Sequence, residues 1–183
     1  MRKEEATIKG VVTAVLVVWF VLGPQVGYSP VGEATGTTAS VLWEHVAWMV
    51  SHGNVWHLAG NVLVLWMLRL PLYLVAAVVI SFLCSWLPVL PGVWEMVGCN
   101  IVTTDGAASV TMGFSGVIFA IGGVKWGRVC CNRKTYRTFC ARVLPLTLIG
   151  ILIPHINWSI HFYCLMGGFV YGRVRWAGTR KSS

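Results

Sequence analysis

Apolar residues run through this chain in six long stretches, separated by short polar or Gly/Pro-containing segments. Runs of this length and composition predict membrane helices over about 8–23, 54–70, 71 to 87–91, 113–127, 143–153 and 158–173. A shorter Trp-bearing run at about 41–50 predicts a helix lying in the interface. Residues 11–22 have the apolar character of a signal-peptide core. No small-residue cleavage site and soluble domain follow them, so they read as a retained first span.

The fourth run is informative because it is short. Fifteen helical residues rise about 22 Å, against a hydrocarbon core of roughly 30 Å. With Lys125 and Arg128 anchoring its far end, its amino terminus, next to Ser115, is expected below the opposite surface. Irregular backbone at that depth is tolerated where it lines a protein-walled or wet cavity.

Composition supports the membrane reading. The 183 residues are 56% hydrophobic and 11% charged, with a mean hydropathy of +0.72, whereas soluble domains carry about 25% charged residues. The expected fold is an all-α bundle of six transmembrane helices forming one domain over 1–183, with short tails at about 1–9 and 174–183. The net charge of +8 points to nucleic acid only until its positions are considered. Arg2, Lys3 and Lys9 precede the first span, with Lys9 expected to snorkel to the interface. Six basic residues from Lys125 to Arg142 fill one loop, and Arg173, Arg175, Arg180 and Lys181 form the tail. Alternating spans collect these clusters on one side, so the charge encodes orientation with both termini cytoplasmic. Nucleic acid is not an expected partner; the bilayer is. The minimal form suggests a multi-pass protein of a bacterial cytoplasmic membrane. The six cysteines show no metal-ligand spacing and read as small apolar fillers or acylation targets.

Three polar groups interrupt the runs. Ser115 lies in Gly113-Phe114-Ser115-Gly116, where glycines permit close approach and a helix start offers N–H groups to a developing oxyanion. Taken alone, the tetrapeptide reads first as a small-residue packing patch. His161 is followed two turns later by Gly168 on the same face. It could serve as the base for a serine, although a lone histidine near a helix end more often bonds locally. His57 and Asn61, four apart, share a face, with His52 in the entry loop. Both members of the pair can donate hydrogen bonds, as an oxyanion site needs; interhelical polar glue is the competing reading. No glutamate stands between paired histidines as zinc proteases require, so no metal site is expected. A haem held between His57 and His161 is a further alternative.

In order and spacing, His52, His57, Asn61, then Gly113-Phe114-Ser115-Gly116, then His161 with Gly168 resemble the rhomboid family of intramembrane serine proteases over about 41–172. The resemblance implies an endopeptidase without cofactor or metal that cleaves transmembrane segments of membrane proteins. It implies Ser115 as nucleophile and His161 as base, with His57, Asn61 and the Ser115 N–H as oxyanion hole. His52, Gly113, Gly116 and Gly168 have supporting roles, and Phe119 replaces the tyrosine that packs on the catalytic histidine. A rhomboid-like protein that binds membrane helices without cutting them is the alternative. Residues 92–112 are a candidate cap over the cavity. Two positions depart from the family pattern. Cys164 stands where glycine is common and is expected to widen the contact between spans 4 and 6. Glu44 follows Trp43 in place of arginine, so the first loop is expected to be held differently.

Overall fold

A computed structural model describes residues 3–27, 38–68, 73–88, 90, 111–130, 132–153 and 156–177. Residues 92–110 of the candidate cap at 92–112, and the turn at Pro71, lie outside the described residues.

The described elements are helical. They are α1 (Lys3–Leu22), α2 (Thr38–Ala47), α3 (Val55–Met67), α4 (Leu74–Cys84) and α5 (Ser115–Val129). A continuous helical stretch follows: α6 (Arg133–Thr138), a π-helical turn (Phe139–Val143), α7 (Leu144–Leu148) and a 3-10 turn (Ile149–Leu152). The last helix is α8 (Trp158–Ala177). Among the described residues α1 is the helix whose length and hydropathy alone suit a membrane crossing, with α3 and α4 as shorter apolar helices.

Two expectations change. The basic segment after α5 is helix, not loop, from Arg133 onward. Asn132 starts it with a capping box, its side chain accepting from the Thr135 N–H while the Thr135 hydroxyl accepts from the Asn132 N–H. That reciprocal pairing satisfies two donors a helix start leaves open. Lys9 does not snorkel. It is 1% exposed, pairs with Glu5 at 3.1 Å and donates to the carbonyls of Trp66, at 3.2 Å, and Leu68. These are end-of-helix carbonyls of α3, where a cation is favoured. Lys9 thus fastens α1 to α3.

The principal contact in the bundle is between α5 and α8. Gly123 and Gly127 of α5 face the Leu165 and Phe169 carbonyls, and Gly168 and Gly172 of α8 face those of Ala120 and Val124. A Cβ at any of the four would run into the opposing backbone, so the two helices touch main chain to main chain. Cys164 does not hold them apart. Its thiol sits between α4 and α5, with Sγ 3.7 Å from the Ser81 hydroxyl and against Gly116, which has no Cβ, and the close crossing is kept by the glycines around it. The outer surface is apolar, with Val18, Val21, Met67, Val75, Leu146 and Val174 all more than half exposed. A lipid solvent accepts such a surface; water does not.

Candidate active site

The α5–α8 crossing brings Ser115 beside His161. Ser115 is the first residue of α5, and its hydroxyl lies 2.8 Å from His161 Nε2. Phe119, one turn along α5, stacks on the His161 ring with centroids 4.6 Å apart and planes at 17°. One face of the imidazole is therefore covered, and its edge is turned to the serine. Both Ser115 and His161 are half-buried, so the pair is sheltered yet reachable.

The chain enters α5 through Gly113, which has φ +126, a region L-side chains rarely adopt. Its N–H donates to the Trp48 carbonyl at 2.8 Å. A Cβ here would lie 2.5 Å from the His57 ring and 3.4 Å from Asn61 Nδ2. The glycine lets the main chain before Ser115 press against His57 and Asn61. Gly116 serves the other side: a Cβ there would meet the buried Trp48 ring at 2.7 Å and Cys164 Sγ at 3.4 Å.

His52 organises the rest. In the turn before α3, its Nδ1 donates to the Val50 carbonyl (3.1 Å), leaving Nε2 to accept from Asn61 Nδ2 (2.9 Å) and, more weakly, from the Phe114 N–H (3.5 Å). Its own N–H donates to Gln25 Oε1 at 2.9 Å. Burial pushes the His52 imidazole down to about 4, with His57 nearby adding to the effect and the Val50 carbonyl opposing it. The neutral ring suits its acceptor role. One Asn61 amide hydrogen is thus committed to His52, and the second is left for the space between α3 and Gly113. His57 meets His52 edge-on, with centroids 5.2 Å apart, and its N–H is capped by Asn54 Oδ1 at 2.9 Å.

All nine residues singled out in the sequence fall in two connected places. Ser115, His161, Phe119, Gly116 and Gly168 lie on the α5–α8 contact, and His52, His57, Asn61 and Gly113 lie at the start of α3 against the entry to α5. Sequence reasoning missed three supports. Trp48 floors the site, Gln25 holds His52, and Asn157 donates to the Thr111 hydroxyl at 2.8 Å while its Oδ1 accepts from the Ser159 hydroxyl and the Ile160 N–H. Only the last left a local signal, a side-chain acceptor three residues before a helical N–H. Among the described residues no group of three or more His, Cys, Asp or Glu could hold a metal ion.

A family model described as Rhomboid domain matches residues 39–178. The chain belongs to the rhomboid family. Comparison with curated proteins returned no match. Rhomboids are membrane-embedded and include intramembrane proteases and inactive relatives; the matched region takes in all nine residues singled out in the sequence, with Gln25 outside it. The first loop of this rhomboid is held by its own contacts. Trp43 packs near Trp19 of α1 (5.7 Å). His45 donates to the Ser85 hydroxyl at 2.8 Å and stacks on Trp86 at 3.8 Å.

Proposed function

We propose that this rhomboid is an intramembrane serine endopeptidase that cleaves transmembrane segments of other membrane proteins with a Ser115–His161 dyad. The observation that carries the reading is the 2.8 Å contact between Ser115 Oγ and His161 Nε2, at a helix start bordered by further donors. His161 takes the Ser115 proton as the oxygen attacks a peptide carbonyl, then gives it to the departing amine. The oxyanion is met by the Ser115 N–H, the free Asn61 amide hydrogen and His57. Water, with His161 again as base, hydrolyses the acyl-enzyme. A haem between His57 and His161 is disfavoured, because His161 Nε2 is engaged by Ser115 and its ring face by Phe119.

The working arrangement is six spans with both termini on the cytoplasmic side, following the one-sided distribution of basic residues. The test is cleavage of a membrane-spanning reporter in vesicles. Ser115→Ala and His161→Ala are each expected to lower turnover by about 10⁴-fold or more at unchanged expression. Cleavage that persists in the serine variant overturns the proposal. A rhomboid that only binds helices would cleave nothing in any form.

A further inference from the structure

Beyond the dyad, we infer that the exposed face of α6 and the π turn is a binding site for the phosphate headgroup of an anionic phospholipid. Arg133, Lys134, Arg137, Thr138, Ala141 and Arg142 line one groove of about 490 Å³. The π turn Phe139–Val143 takes up an extra residue, which carries Arg142 round to the side of Lys134 and Thr138. Arg133, Lys134, Arg137 and Arg142 are all exposed and share this one shallow depression, so their cationic ends are available on one face to phosphate oxygens.

Among the described residues no carboxylate pairs with these four cations. The sequence contains no Asp or Glu after Asp105, and among the described residues the ion pair is Lys9–Glu5, on α1. Other cations gather at the same end of the bundle: Arg128 donates to the Tyr73 hydroxyl and lies over Trp176, and Arg173 donates to the Cys130 carbonyl. Among the described residues these four cations are therefore open to an external anion.

The remainder of the same helical stretch identifies the source as lipid. Its inner side is packed, Phe139 stacking on Phe169 at 4.7 Å with Thr147 buried. Its outer side continues from the groove into Leu146, Ile149 and Leu152, which are 70%, 48% and 60% exposed. Cations at one end and an uncovered apolar strip along the rest are complementary, in order, to a headgroup and its acyl chains. A free anion would use the first part alone.

Native mass spectrometry of the full chain in detergent, titrated with phosphatidylglycerol or phosphatidylcholine, tests this independently of proteolysis and can be run on Ser115→Ala. The first phosphatidylglycerol is expected to bind more tightly than phosphatidylcholine. Arg133→Gln/Arg137→Gln/Arg142→Gln is expected to weaken it about tenfold or more. Arg175→Gln/Arg180→Gln/Lys181→Gln, with the same loss of charge, should leave it within about twofold. Unfolding temperatures of both triple variants check that each is folded. Equal affinity for the two lipids, or equal loss in the two variants, overturns the site. Displacement by millimolar inorganic phosphate would mean a free-anion site and overturns the lipid assignment.

Discussion

Gly113 is the residue where sequence and geometry meet most tightly. Its φ of +126 and the absent Cβ let the backbone touch His57, so Gly113→Ala carries strain and a clash together. A loss of about 1–3 kcal/mol of stability is expected, with reporter cleavage falling further than folding alone explains. Asn61→Ala should behave differently. It leaves the Ser115–His161 pair in place, and kcat should drop about 10²–10³-fold, the usual cost of one oxyanion donor. His52 gives a pH signature. Its folded imidazole titrates near 4 because it is buried, whereas an unfolded one titrates near 6.5. The unfolded state therefore takes up a proton that the folded state refuses. The His52 contribution is complete above about pH 6.5 and is lost as pH falls from there toward 4. Thermal unfolding followed from pH 7.5 to 4.5 should show this decline, and His52→Phe should make it less steep. Ser115, His161 and the His57/Asn61 pair could be singled out because their types and spacings are local. Gln25 and Trp48 were not, since only the folded chain brings the first helix and first loop under the site.

Between elements, the α5–α8 crossing sets the dyad distance. Gly168 meets the Ala120 carbonyl, whereas Gly122, on the same α5, has nothing within 4 Å of its would-be Cβ. Gly168→Ala is therefore expected to push the helices apart, costing about 1–3 kcal/mol and slowing reporter cleavage. Gly122→Ala should be neutral or stabilise by about 0.5–1 kcal/mol through helix propensity. Differential scanning of both variants, with cleavage rates alongside, measures the contrast. The apolar runs placed these helices well, and α5 begins within two residues of the expected start. The segment 133–142 was misread because its cations dominate its pattern. Its helix is secured by the Asn132/Thr135 capping box and by Phe139 packed on Phe169, a tertiary contact invisible in a loop-like composition. The widening expected from Cys164 is not seen at the four glycines of the crossing, and its thiol fits between Ser81 and Gly116, which has no Cβ.

At the scale of the whole molecule, the described residues expose many large apolar side chains and bury a small set of polar ones. Lys9 shows how little of that economy periodicity reveals. A lysine at the edge of a span reads as an interfacial anchor, yet here it is buried and ties α1 to the end of α3. The resemblance named a six-helix rhomboid from a handful of residues, and the match over 39–178 sustains the family. The catalytic assignment rests on Ser115 being a nucleophile activated by His161. A serine-directed fluorophosphonate, followed by peptide mapping, tests that most directly. One adduct on Ser115 is expected, slowed strongly in His161→Ala and missing in Ser115→Ala. No adduct on the folded protein, or labelling undiminished by Ser115→Ala, would contradict it.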